Sequence, residues 1–265
     1  MFNLVIADLF KVRKLMAVKL SILFCFISAT ALLWMSYGVT NGVFSREISY
    51  QLSGLTEIMM ISLFGPLIVG VAICQDFEDH AMQHVISLGI GRGKVLIGKV
   101  ILIVFMIAVL LLPFLINTLV GVFLEINLSE EVVQSTFMKC IIDVQGQVIS
   151  STQVGKIILI YFAMIVVYVA RLSICLPLAM LVKKQSIVMI IGFAVGGLID
   201  VVVGLISNSA LGKVLLDYLP YSRNYMILGL DTSTGLLLKL FIVCVLFTSI
   251  MIGITYKLFI KTEVK

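Results

Sequence analysis

Six apolar runs constrain this chain more than any other feature: Leu20–Tyr37, Ile58–Cys74, Val100–Leu124, Ile157–Val182, Ile187–Ile206 and Leu236–Leu258. About 20 apolar residues in a helix cross the hydrocarbon of a bilayer. A helix is the form that satisfies its own backbone polar groups where no water is available. Charged residues make up 12% of the chain and hydrophobic ones 61%, roughly half the charged share of a soluble domain. The predicted fold class is therefore an all-α membrane protein with six transmembrane helices in one domain over residues 1–265. No small-residue cleavage site follows the first run, which reads as a retained span rather than a signal peptide.

An even number of spans returns both termini to one side. Lys11, Arg13, Lys14, Lys19, Arg92, Lys94, Lys99, Lys183, Lys184, Lys257, Lys261 and Lys265 fall on that side. The opposite loops, Val39–Glu57, Glu125–Lys156 and Ser207–Gly235, hold mostly acids: Glu47, Glu57, Glu125, Glu130, Glu131, Asp143, Asp217 and Asp231. The positive-inside rule then predicts cytoplasmic termini. The net charge of +5 reflects this placement and carries no nucleic-acid reading.

Ahead of the first span, Phe2, Val5, Ile6, Leu9, Val12 and Met16 recur at helical spacing, with Asp8, Lys11 and Lys14 opposite and Arg13 on the apolar side. That pattern predicts an interfacial helix on the membrane surface, against the plainer reading of a basic flank. In the last outside loop, Leu211–Leu219 is apolar and ends at Pro220. It reads equally as a short re-entrant or surface helix and as an exposed loop.

The stretch Gln75–Lys99 is the longest polar-bearing interruption between two spans. It opens with Asp76, Glu78 and Asp79, closes with Arg92, Lys94 and Lys99, and carries three glycines, Gly89, Gly91 and Gly93. Between the acids and the glycines, Ala81–Leu88 predicts a short amphipathic helix, with acids before it and bases after it as a helix dipole favours. The glycines permit a sharp reversal into the third span.

Most enzymatic chemistry is excluded by what is missing. A P-loop needs a hydroxyl residue after Gly-Lys, and Gly98-Lys99-Val100, Gly155-Lys156-Ile157 and Gly212-Lys213-Val214 all lack it. The only histidines are His80 and His84, and Asp200 is the only acid deep in a span. An intramembrane aspartyl protease needs two carboxylates that share a site, so no catalytic residue is assigned and the chain is not expected to be an enzyme. His80 and His84 are four apart, a spacing that suits a metal pair, but no third ligand accompanies them and a solvated, partner-facing surface is the favoured reading. Of the five cysteines, Cys25, Cys74, Cys175 and Cys244 lie in or at the ends of apolar runs, and Cys140 lies in a polar loop. No disulfide and no metal site are predicted.

Arg171 and Asp200 are the two charges at lipid depth. Charges there are costly and are usually paired or functional. The fourth and fifth spans run in opposite directions, so both residues sit near half depth and an ion pair between them is predicted, with a substrate-contacting charge as the alternative. Gly192, Gly196 and Gly197 in the fifth span include a four-residue small-residue spacing that admits close helix approach. They mark an expected protomer–protomer interface, although packing within the chain would use the same pattern.

Across nearly its whole length the chain resembles the ABC-2 type transporter permease family. The residues that carry the resemblance are Asp76-Phe77-Glu78-Asp79, then Ile86-Ser87-Leu88-Gly89-Ile90-Gly91-Arg92, then Gly98-Lys99. Ala81-Met82 stands where that family usually has Gly-Thr. The resemblance implies two permease copies, or one and a related permease, flanked by two cytoplasmic ABC ATPase subunits that hold ATP and magnesium. This subunit itself would need no cofactor. It also implies that the loop after the second span is a coupling helix, which gives Asp76, Glu78, Asp79, His80, His84, Ser87 and Arg92 an ATPase-coupling role. Small permeases of this layout look like those that export peptides from bacteria or protect against lantibiotics and bacitracin. The expected location is the bacterial cell membrane and the expected substrate a hydrophobic or amphipathic peptide. The alternatives are an ion-coupled secondary carrier, a non-transporting assembly or sensor subunit, and a permease for another hydrophobic substrate such as a drug or lipid.

Overall fold

The structure is a computed structural model that describes residues 2–45, 52–129, 135–146, 150–206, 212 and 216–261. Ten helices are labelled here. They are α1 (Phe2–Lys14), α2 (Met16–Thr40), α3 (Glu57–Glu78), α4 (Ala81–Ser87), α5 (Arg92–Phe123), α6 (Thr136–Val144), α7 (Ser151–Leu172), α8 (Cys175–Val182), α9 (Gln185–Ile206) and α10 (Thr234–Lys261). No strand occurs among the described residues. Six helices are long and apolar enough to cross a membrane: α2, α3, α5, α7 continued by α8, α9 and α10. The chain is a multi-pass membrane protein.

The fourth span is broken for a local reason. Pro177 stands third in α8 and has no N–H to give the turn before it. Around the break the backbone tightens: Leu176 N donates to Ser173 O at 3.1 Å, and Ser173 Oγ donates to Ala170 O at 2.7 Å.

Three spans (α3, α5 and α7–α8) form the interior, α2 flanks it with 39% of its apolar window buried, and two stand outside it. Of the apolar windows, 61% is buried in α3 and in α7–α8, but only 11% in α9 and in α10. The bare outer faces of α9 and α10, including Ile190, Leu198 and Leu205 on α9, therefore meet lipid or another molecule rather than this chain. α9 packs along α3, α2 along α5, and α10 along α7 and α8.

Two readings from the sequence change here. The 125–156 connection contains the buried helix α6, and Phe137, Met138, Cys140 and Ile141 face the core. Ser135 caps it by accepting from Met138 N at 3.3 Å. Cys140, read above as a polar-loop residue, is fully buried, and all five cysteines are free and buried. Glu57, grouped above with loop acids, is 0% exposed and accepts the backbone N–H of Thr136 at 3.0 Å, at the start of α6. Of the apolar segment 211–219, residues 211 and 213–215 lie outside the described residues, as do Glu47, Glu130, Glu131 and Lys265.

Candidate functional site

The second and third spans are joined through α4, a seven-residue helix at the end of the bundle where α1 and the end of α10 also lie. Its left-handed entry residue, His80 (φ 55°), turns the chain out of α3, and Gly89 (φ 80°) takes it out of α4. Asn, Asp and His tolerate that conformation better than other side chains, whereas a glycine adopts it freely. Met82 is buried and pins α4 to the bundle, while His80, His84, Ser87 and Leu88 face outward, Leu88 with 79% exposure. Ser87 Oγ donates to His84 O at 2.8 Å and tightens the last turn.

The charges expected to face a partner are mostly spent inside the chain. Asp76 and Glu78 lie in the last turn of α3 rather than at the start of α4, at the end of a helix dipole that repels carboxylates. Cations offset this. Lys99 on α5 pairs with Asp76, and its Nζ lies 2.7 Å from Asp8 Oδ2 on α1. Lys11 on α1 reaches Asp76 Oδ1 at 3.0 Å and Asp79 Oδ2 at 2.9 Å. Side-chain exposures of 3% for Lys99, 10% for Asp76 and 13% for Asp8 make this a buried cluster, with Asp79 and Lys11 at its rim. Burial pushes the Asp8 carboxyl above its ordinary range, with the Lys99 ammonium pulling the other way. For Lys11, burial pulls its pKa down, but hydrogen bonds to Asp79 and Asp76 outweigh that and hold it above its ordinary value.

Two further ties complete the base. Glu78 Oε1 accepts from Gln185 N at 3.1 Å, at the first residue of α9. Arg92 Nη1 donates to Phe259 O and Ile260 O, both at 2.7 Å, and its guanidinium stands 5.6 Å from the Phe259 ring centroid. A cation on the last carbonyls of α10 satisfies orphan acceptors and complements the dipole. The base of α4 is thus tied to α1, α3, α5, α9 and α10. Asp76 and Arg92 brace this end of the bundle through contacts within the chain. Asp79 and Glu78 are exposed and also make such contacts, and His80, His84 and Ser87 face outward. The two histidines gain no further ligand: among the described residues no group of three His, Cys, Asp or Glu side chains suits a metal ion.

Toward the other end of the bundle, Arg171 in the last turn of α7 donates through Nη2 to Asp200 Oδ1 on α9. Its Nη1 reaches Met226 Sδ at 3.0 Å, and its guanidinium lies 5.2 Å from the Tyr221 ring centroid. Tyr221 returns the contact by donating its hydroxyl to Arg171 O at 3.0 Å, just before the Pro177 break. Met226 O accepts from Thr136 Oγ1 at 2.6 Å, and Thr136 N donates to Glu57. A continuous polar chain thus runs from fully buried Glu57 to half-exposed Asp200. A cavity of about 30 Å³ adjoins it, lined by Ser62, Tyr168, Arg171, Cys175, Gly192 and Gly196 among others, and the Tyr168 hydroxyl there finds no hydrogen-bond partner among the described residues.

The three interface glycines separate. A Cβ on Gly192 would lie 2.6 Å from Pro66 Cβ and 3.0 Å from Cys175 Sγ, so this glycine serves packing of α9 on α3 within the chain. Among the described residues, nothing lies within 4 Å of the same position on Gly196 or Gly197.

Sequence reasoning missed Asp8 and Lys11 as partners of the α4 base, and Glu57, Tyr168, Tyr221 and Met226 along the polar chain. Asp8, Lys11 and Glu57 signalled only as polar residues beside an apolar run, and Tyr168, Tyr221 and Met226 carried no signal of their own. Comparison with protein-family models and with curated proteins finds no match to this chain.

Proposed function

We propose that this chain is the membrane permease subunit of an ATP-driven exporter, with α4 as the element that engages a separate ATPase. The observation that carries the reading is a short helix with an outward face (His80, His84, Ser87, Leu88) on a base cross-braced to five helices. A docking element transmits motion into a bundle only if its base does not yield, and a buried ion cluster supplies that stiffness. The bases gathered at this end, with the termini, support a cytoplasmic orientation in the bacterial cell membrane. The bare apolar faces of α9 and α10 favour hydrophobic or amphipathic peptides over strongly polar solutes. ATP and magnesium belong to the partner in this reading.

The test is recovery from native membranes. The wild-type chain co-purifies with an ATP-hydrolysing subunit, and Leu88→Asp with His84→Glu abolishes recovery of that subunit while the permease stays inserted. Purification that never brings an ATPase overturns the proposal. One observation favours an ion-coupled carrier as the second reading: a broken span beside a buried ion pair is a common arrangement in such proteins. Uptake or efflux driven by an ion gradient without ATP would select it.

A further inference from the structure

We infer that α1 docks on anionic lipid headgroups, through a face that overlaps the one its sequence pattern selects at Ile6 and Arg13 but is turned away from Val12 toward Phe10. The inference holds whatever the chain transports. Val12 on the expected apolar side is buried against the bundle, and Asp8 and Lys11, the residues expected to face water, turn their charged ends to Lys99, Asp76 and Asp79 instead. Leu4 and Val5 lie against Gly98 on α5. Ile6 and Phe10, one helical turn apart, are each 62% exposed on the side that remains.

Three observations make the occupant of that side a lipid surface. The first is position. α1 ends at Lys14, and after the extended Leu15 (ψ 129°) the first membrane span starts at Met16, so the chain itself holds α1 at the bilayer boundary. The second is continuity. Met16, Leu20, Leu23, Phe24 and Ile27 are exposed along α2 and carry the apolar surface from α1 into the span. The third is charge. Arg13, Lys14 and Lys19 are exposed, no ion pair is formed by any of them among the described residues, and the Lys14 ammonium rests 4.2 Å from the Phe10 ring centroid. An apolar pair with bases beside it suits insertion at the headgroup level, where acyl chains take the rings and lipid phosphates take the cations. Because the opposite side of α1 is tied to Lys99 and Asp76, lipid held on this face is mechanically connected to the base of α4.

The experiment places a single fluorophore on the face: Phe10→Trp in a Trp34→Phe background, with Ile6→Trp as a second reporter, in the full chain reconstituted into vesicles. The lipids are phosphatidylcholine alone and phosphatidylcholine mixed with phosphatidylglycerol, each with brominated acyl chains in turn. The expected result is quenching by both brominated lipids, with brominated phosphatidylglycerol effective at a lower share of the bilayer. Each exposed base contributes roughly fivefold to that preference. Arg13→Gln, Lys14→Gln and Lys19→Gln together therefore weaken the phosphatidylglycerol preference by up to about a hundredfold and leave phosphatidylcholine quenching in place. Reporters that escape both lipids but are quenched by aqueous acrylamide would mean the face meets water or a soluble partner, and would overturn the inference. An unchanged phosphatidylglycerol dose in the triple variant would overturn it as well.

Discussion

Removing either member of the Arg171–Asp200 pair should destabilise the bundle unequally, with Asp200→Leu the worse of the two. The Arg171 side chain is 6% exposed and that of Asp200 37%. Without Asp200, a guanidinium that cannot shed its proton stays buried, with only Met226 Sδ and the Tyr221 ring as company. Stranding a charge in this way costs about 3–5 kcal/mol. Without Arg171, the carboxyl left behind lies at the edge of the bundle rather than inside it. The loss is then that of a charged hydrogen bond, about 1.5–3 kcal/mol. Removing both takes away the stranded charge, so the double variant should recover a coupling energy of roughly 2–3 kcal/mol relative to the sum of the singles. The assay is denaturation of the purified protein in mixed micelles, with free energies read from the four corners of the cycle. Single losses that simply add, or Arg171→Leu falling below Asp200→Leu, would refute the reasoning.

Gly192→Leu should cost about 1–3 kcal/mol, because its Cβ meets Pro66 and Cys175 at once. Gly196→Leu and Gly197→Leu should leave the isolated chain's thermal midpoint unchanged and act only on self-association, measured by cross-linking in membranes. Arg92→Gln should fray the end of α10, seen as faster amide exchange over its last turn, since both carbonyls that Arg92 caps lose their cation. The pKa of Lys11 is raised above its ordinary value of 10.5, so the folded state holds this proton more tightly than the unfolded one. Its contribution is fully present below pH 10.5 and is lost as pH climbs through the raised folded value. Protease access to α1 should therefore stay constant through neutral pH and rise only in that alkaline window; a rise between neutrality and that window would contradict the assignment.

Much of the fold was legible because the bilayer enforces a single signal. Apolar length alone located all six spans, with ends that moved by as much as the eight residues from Val100 to Arg92 and by three from Leu258 to Lys261, where polar residues extend the helices. The short helix Ala81–Ser87 was legible too, bounded as it is by acids and glycines. The helix α6 was not, because a nine-residue amphipathic segment buried under loops has the composition of a loop. The face of α1 was misread for a physical reason. Hydrophobic periodicity assumes that polar side chains seek water, but Asp8 and Lys11 seek Lys99, Asp76 and Asp79 instead. These ties join residues 65 to 91 positions apart, and no local pattern announces them. The same holds for the acids of the 75–99 connection, whose count and order were plain but whose partners were not. Arg171 and Asp200 were conspicuous because charge at lipid depth is rare, whereas Glu57, at the edge of a span, looked like any loop carboxylate.

The central claim is that the outward face of α4 is where an ATPase docks, and photo-cross-linking from that face in intact cells tests it most directly. A photoreactive amino acid in place of Leu88, 79% exposed, should yield an adduct whose second component is an ATP-binding subunit. The same probe in place of Tyr218, 67% exposed in the 207–235 connection, should not. An adduct with that subunit from Tyr218 rather than from Leu88, or adducts of Leu88 with lipid alone, would contradict the account.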